Sequence, residues 1–560
     1  MESRFILMSE KKVQSSEEQL KQAGSEPTAK EKMLKGSAWM TAGSIFSRIL
    51  GAIYIIPWYG WFGADKLQAN ALYTKGYTVY SLFIMIATAG IPSAVAKQVS
   101  HYNSLNEYQV GRRLFKKTMY LMLGLGIFSA ALLWFISPWI SQGDPRMIPI
   151  YRSLSLALIL IPVMSLARGF FQGYQDMAPS AISQLIEQVV RIVYMLAATY
   201  LIMKIMNGHY ELGVVHSTLG AFFGAIGGIV LLAFYYLKQR KKYDSLAENS
   251  ANILEVSDGQ LIKEIIYQSI PFIFVSISMT LYNLFDQYTF QPIMQKVTDF
   301  TLDSINAQYA LFAGNANKLV MIIVSLAIAM ATTAIPLLSE SVTKGDQKGT
   351  RDQITDTLEL FFFIMLPAAL GMAAVARPLY VLFYSYEHMG IYVMSVSAYT
   401  ALALGLFSLM SSVLQGVYRN KIAIKYTVIG LVIKLILQFP MTVWLHGYGP
   451  VLATGIGTGI SGVLMIRYAY YEFGLDLERL LKSFNQMMVF SLIMFVVVLA
   501  IVFGLGLFLS SYSRLMSVVV LALAVLGGAY VYAWLALKTR VADKVLGDKA
   551  GSLRRVLRIN

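Results

Sequence analysis

Residues 36–57 read GSAWMTAGSIFSRILGAIYIIP, an apolar run interrupted by one charge, Arg48. As a helix this run is long enough to cross the roughly 30 Å hydrocarbon core of a bilayer. An arginine at mid-depth costs about 2.5–3.5 kcal/mol even on the lenient insertion scale, so it is expected to face a protein interior or a watery cavity. Arg48 has company, because Arg191, Lys318 and Lys434 also fall inside apolar stretches. Several cations inside the membrane point to an anionic cargo.

The rest of the chain continues the pattern. Of its residues 56% are hydrophobic and only 14% charged, and its mean hydropathy of +0.58 excludes an ordinary soluble protein of 560 residues. Apolar stretches of about 20 residues recur along it, which predicts an all-α integral membrane protein of about 14 transmembrane helices. The polar residues 1–33 lack an apolar signal-peptide core and are expected to form a disordered cytoplasmic tail. With no cysteine, disulfides and thiolate metal sites are excluded, and the five histidines show no metal-ligand spacing. No metal or other cofactor is expected. The phosphate-binding pattern Gly-x-x-x-x-Gly-Lys-[Ser/Thr] is absent, so coupling is expected to use an ion or the membrane potential rather than ATP.

Most of the 46 Lys and Arg lie in the two tails and in alternate connections, among them Arg112, Arg113, Lys116, Lys117, Lys238, Arg240, Lys241 and Lys242. The positive-inside bias then places both termini in the cytoplasm. The net charge of +15 needs no nucleic-acid partner; attraction to anionic membrane lipids accounts for it.

The chain also reads as doubled. Phe171-Gln172-Gly173-Tyr174 recurs as Leu414-Gln415-Gly416-Val417-Tyr418 at an offset of 243 residues, which also carries Arg191 onto Lys434. Thr88-Ala-Gly-Ile-Pro92 recurs as Thr332-Thr-Ala-Ile-Pro336 at 244, so Lys75 and Lys318 correspond within one residue. Six spans per half make the repeat parallel, giving two six-helix lobes related by an axis along the membrane normal. The expected layout is an N-lobe at 34–240, a connector at 241–263, a C-lobe at 264–475, two appended spans at 476–540 and a basic tail at 541–560. Such a transporter carries its substrate between the lobes.

The candidate substrate-binding residues are Arg48, Lys75, Arg191, Asn315, Asn317, Lys318 and Lys434. Glu187 stands four residues before Arg191, on the same helical face, and Asp286 lies in the seventh span. Either carboxylate would tune the cations or bind a coupling ion. Pro92 and Pro336 are the expected hinges. Trp58, Tyr59 and Trp61 read as an interfacial belt or as packing, and Gly220, Gly224, Gly227, Gly228 and Gly457 suit close helix approach. Excess positive charge between low-dielectric walls concentrates anions, and the planar arginine fork suits phosphate.

Ala87-Thr-Ala-Gly-Ile-Pro-Ser-Ala-Val-Ala-Lys97, together with Phe171-Gln-Gly-Tyr, resembles the SpoVB/YtgP-type polysaccharide transporters. These belong to the multidrug/oligosaccharidyl-lipid/polysaccharide flippase superfamily. Within it, Ser47-Arg48-Ile-Leu-Gly51 is similar to the first-span Ser-Arg-x-Leu-Gly of the lipid II flippases, where the Arg is a cavity residue. Ala316-Asn317-Lys318-Leu319 resembles their Ala-Asp-Arg-Leu. Tyr54 stands where those flippases carry a second arginine, so that cation is either absent or relocated to Lys75 or Arg191. The resemblance implies V-shaped lobes and a lateral groove at spans 13–14 for a polyprenyl tail. It also implies a lipid-linked anionic glycan as cargo, with lipid II foremost. A teichoic-acid or capsular oligosaccharide lipid is the alternative, followed by drug or cation antiport. An integral-membrane glycosyltransferase would need catalytic groups in a sizeable outer loop, where 291–310 offers only Asp299 and Asp303.

Overall fold

The computed structural model describes residues 50–51, 53–88, 90–251, 258–509, 513–546, 551 and 554–555. Arg48 lies outside these residues, as does most of the first expected span. Among the described residues the chain is almost entirely helical and has no strand.

The N-terminal half comprises α1 (Ile55–Trp61), α2 (Lys66–Thr88), α3 (Ile91–Ser104), α4 (Tyr108–Ile140), α5 (Met147–Gly173), α6 (Met177–Tyr200) and α7 (Tyr210–Glu248). The C-terminal half begins with α8 (Asp258–Val297) and α9 (Leu302–Tyr309); a π-helical segment, Ala310–Ala316, joins α9 to α10 (Asn317–Thr343). Then follow α11 (Gln347–Ala374), α12 (Ala376–Tyr384), α13 (His388–Gly416), α14 (Asn420–Leu445) and α15 (Gly449–Phe473). The chain closes with α16 (Leu477–Gly506), α17 (Arg514–Lys538) and α18 (Val541–Leu546).

Ten stretches of the described residues are long and apolar enough to cross a membrane. One of them, Asn420–Phe473, is the pair α14–α15, which doubles back at His446–Tyr448. Each expected span from the second onward lies on helix. The second is divided: α2 stops at Thr88, and Pro92 sits in the first turn of α3, where its missing N–H leaves no bond unmade. Pro336, by contrast, lies within the continuous α10.

Helix ends are fixed by local chemistry. The side chains of Thr301, Asp346 and Asp476 each accept a bond from a backbone N–H in the first turn of the helix they precede. The repeat is visible in the backbone itself. Gln175 and Tyr418, 243 residues apart, both adopt the left-handed conformation, with φ of 59° and 60°. Behind them Asp176 N–H donates to Phe171 O at 3.0 Å, and Arg419 N–H donates to Leu414 O at 2.7 Å. Both are six-to-one helix terminations.

Within each half, glycines let two helices meet. A Cβ on Gly224 of α7 would lie 2.8 Å from Glu187 O and 2.9 Å from Arg191 Cβ on α6. A Cβ on Gly457 of α15 would lie 2.6 Å from Gly430 O and 3.1 Å from Lys434 Cβ on α14. The two repeat-equivalent cations are therefore seated by glycines in the same way. The C-terminal pair is pinned to α11 through Glu359, which is 2% exposed and accepts from Arg479 at 2.6 Å and Ser483 at 2.7 Å. Glu359 falls inside the ninth apolar stretch, and the sequence reading passed over it.

Of the two readings of Trp58 and Tyr59, belt or packing, the structure favours packing. Each is 1% exposed, and the Trp58 indole donates to Ser217 on α7 at 2.8 Å. A buried aromatic with a polar atom needs a partner, and these rings find theirs inside the protein.

Replacing Gly224 by Val should destabilise the protein by about 1–3 kcal/mol, because side chains are forced into a filled helix interface. Gly124, which has nothing within 4 Å of its Cβ position, should accept Ala without loss. Thermal unfolding of the purified variants measures both.

Candidate functional site

The two halves meet along a polar seam at the end of the bundle opposite the basic connections. Asn70 on α2 donates through Nδ2 to Asn315 Oδ1 at 2.5 Å, while its own Oδ1 accepts from Lys318 Nζ at 3.0 Å. Asn315 donates onward to Tyr380 Oη at 2.7 Å and Tyr59 Oη at 3.3 Å. Lys318, Asn70, Asn315 and Tyr380 thus form one hydrogen-bond chain that crosses from lobe to lobe twice. Each amide donates and accepts within it, so each bond polarises the next. A Cβ on Gly314 would lie 2.5 Å from Asn70 Nδ2, so the close approach of α2 depends on glycine there.

Lys75, 3% exposed, completes the seam from the other lobe by donating to Asn306 Oδ1 at 2.7 Å and Gln291 Oε1 at 3.0 Å. The repeat-equivalent lysines therefore reach in opposite directions across the interface. Both are held by amide oxygens, and no carboxylate among the described residues forms an ion pair with either. Nearer the surface, Arg146 bonds Asp144 of its own lobe at 2.8 Å and Asp303 of the other at 3.0 Å. The bonds to Asp144, and then to Asp303, keep that guanidinium charged above its already high ordinary range.

Behind the seam lies a cavity of about 700 Å³ between the lobes. Arg191, Asn317, Lys318 and Asp286 line it, with Tyr54, Tyr73 and Tyr77. Tyr73 separates the two cations. Arg191 donates to its hydroxyl at 3.2 Å and stacks on the Tyr77 ring at 4.8 Å, while Lys318 lies 5.0 Å from the Tyr73 ring centre. Aromatic faces hold a cation without cancelling its charge. Among the described residues, neither Arg191 nor Lys318 has a carboxylate within ion-pair distance. The cavity wall therefore carries two basic side chains with no carboxylate partner among the described residues.

The other candidates are placed differently. Lys75 and Asn315 belong to the seam rather than to the cavity wall. Lys434 is fully buried; it pairs with Asp286 at 2.8 Å, donates to Tyr282 O at 2.6 Å and does not reach the cavity wall. Glu187 pairs not with Arg191 but with Arg168 on α5 at 2.7 Å. Of the two proposed substitutes for the cation missing at Tyr54, Arg191 faces the cavity and Lys75 does not. The sequence reading missed Asn70, Tyr73 and Tyr77. Their signal was a polar stripe on α2, Asn70, Thr74, Tyr77 and Ser81, at helical spacing.

Comparison with known proteins agrees with the helical fold. Residues 33–342 match the family described as polysaccharide biosynthesis protein. The chain is 35% identical to the lipid II flippase MurJ of Bacillus subtilis (strain 168), covering 92% of this chain and 97% of that one. It is 24% identical to stage V sporulation protein B of the same organism, over 56% of this chain and 59% of the relative. Among solved structures, a lipid II flippase MurJ in an inward closed conformation superposes with a TM-score of 0.61 at 16% identity, covering 89% of this chain and 97% of that one. An inward-facing MATE multidrug transporter superposes at 0.57 with 13% identity, covering 76% and 98%. The chain belongs to the polysaccharide biosynthesis protein family and is similar to the lipid II flippase MurJ of Bacillus subtilis (strain 168).

Proposed function

We propose that this protein is a flippase that carries an undecaprenyl-pyrophosphate-linked cell-wall precursor, lipid II, from the inner to the outer leaflet. The observation that carries the reading is the pair of basic side chains without a carboxylate partner, Arg191 and Lys318, both in contact with Tyr73 in the cavity between the lobes. Kinship with MurJ over 92% of the chain supports the choice of lipid II among lipid-linked glycans.

The mechanism follows from the seam. With both termini in the cytoplasm, the seam closes the outer end, and the cargo enters from the inner leaflet. Lys318 is shared: it lines the cavity and also donates to Asn70. An ammonium bonds a phosphate oxygen more strongly than an amide oxygen. Pyrophosphate arriving at Lys318 therefore competes with Asn70 and loosens the chain that holds the lobes together. Cargo binding then favours the outward-open state by its differential affinity for the two states. No cofactor or ATP takes part. Membrane potential supplies the bias, at about 2.3 kcal/mol per charge moved through 100 mV. The Asp286–Lys434 pair keeps the C-lobe interior neutral.

Complementation of cells depleted of their own lipid II flippase tests the assignment. Wild type should restore growth, and the double variant Arg191→Gln, Lys318→Gln should not, despite equal membrane levels. Failure of the wild type to rescue would remove lipid II and leave another lipid-linked oligosaccharide as cargo. Orientation can be tested directly, because the chain has no native cysteine. Cysteines at the exposed positions Ser104 and Lys348 should resist an impermeant maleimide in intact cells, and a cysteine at Asp299 should react. The reverse pattern would invert the mechanism.

A further inference from the structure

A second, smaller cavity of about 350 Å³ opens off the first, wholly within the N-lobe. The two share Tyr77, Ser81, Gln188 and Arg191, so Arg191 stands at the junction. The far walls of the side chamber come from Tyr80, Arg168 and Glu187. Its volume lies within the roughly 300–1,000 Å³ typical of small-molecule sites.

The chamber's chemistry differs from that of the main cavity. Arg168 and Glu187 form an ion pair at 2.7 Å and cancel each other's charge, so beyond Arg191 the walls offer an anion no net attraction. Neither group is packed away: their side chains keep 17% and 22% exposure, and Glu187 Oε1 remains open beside the bonded Oε2. The hydroxyls of Tyr77 and Tyr80 are buried and have no hydrogen-bond partner, although Tyr80 as a whole is only 2% exposed. Buried hydroxyls are nearly always bonded, so these two phenols leave hydrogen-bonding capacity on the chamber wall that a bound group can use. A lining that mixes carboxylate and phenol acceptors with guanidinium, amide and phenol donors suits groups that both give and take hydrogen bonds. Sugar hydroxyls and N-acyl amides do this; an apolar tail does not.

We propose that the side chamber is a carbohydrate subsite, which receives an uncharged, hydroxyl- and amide-bearing sugar of the cargo while Arg191 and Lys318 hold its pyrophosphate. The inference rests on the flippase reading and adds a determinant of which head group is accepted. Glu187 and Tyr80 bond the sugar, and Arg168 positions Glu187. Position Arg191, at the junction, marks where the charged and uncharged parts of the head group divide.

The test measures binding of two lipids to the full-length protein in nanodiscs: undecaprenyl pyrophosphate alone, and the same lipid carrying its disaccharide. Glu187→Gln should weaken binding of the disaccharide lipid about tenfold, the size of one hydrogen bond to a charged group. It should not weaken binding of the bare pyrophosphate lipid, because the Arg168 charge it frees can only add attraction for an anion. Tyr80→Phe keeps the buried ring, removes only the unpartnered hydroxyl, and should show the same selective loss. Lys318→Gln should weaken both lipids. If the chamber variants affected both lipids equally, or neither, the subsite would be overturned. If wild type bound neither lipid, the flippase reading would fail and the subsite with it.

Discussion

The Lys318–Asn70–Asn315–Tyr380 hydrogen-bond chain is the interaction on which the rest of this structure depends. It joins the two lobes, together with the Lys75 bonds to Asn306 and Gln291 and the Arg146–Asp303 pair. Its members are amides, a phenol and one ammonium, with no opposing carboxylate. Such a link closes the far end in the absence of cargo but yields to a stronger acceptor. A carboxylate partner would have held Lys318 more tightly and set a higher threshold for opening. The choice of amides leaves the lysine charge available to the cavity while the lobes are still joined.

That arrangement rests on ordinary helix packing further back. Gly224 brings α6 against α7 and sets Arg191 on the cavity wall. Gly457 seats Lys434 on α14 in a similar way, but that cation is buried behind the wall and neutralised by Asp286. The duplicated scaffold has kept the position of a cation in both halves and its accessibility in only one. The N-lobe presents Arg191 to the cavity, and the C-lobe contributes Lys318 from the first turn of α10. The asymmetry makes one side of the chamber the natural seat for an anion.

Much of this was legible in the chain. Apolar stretches gave the helices, since a bilayer admits little else. Turn-forming repeats at 243 residues marked the doubling, and the two helix ends are indeed built alike. Arg191 and Lys318 stood out because charge inside an apolar stretch is expensive. What could not be read was pairing between distant residues. Lys434 looked unpartnered because Asp286 lies far away in sequence, and Glu187 looked paired with Arg191 because four residues of helix separate them. Arg168 read as a connection residue, whereas α5 runs on to Gly173 and carries it into the N-lobe chamber. Asn70 precedes the second apolar stretch, and the polar stripe it begins on α2 signals a polar face without naming the partner across the lobes. The π-helical segment before Lys318 leaves no signature in hydropathy.

The claim that the seam holds the far end shut until an anion competes for Lys318 is open to one direct measurement. Spin labels on cysteines introduced at Met206 and Lys296, exposed positions on the N-lobe and C-lobe at that end, report the separation by pulsed electron resonance. Without ligand the wild-type distance should be short and narrowly distributed. Adding undecaprenyl pyrophosphate should create a longer population, and Asn70→Ala should create it without ligand. A single short distance under all three conditions would contradict the account.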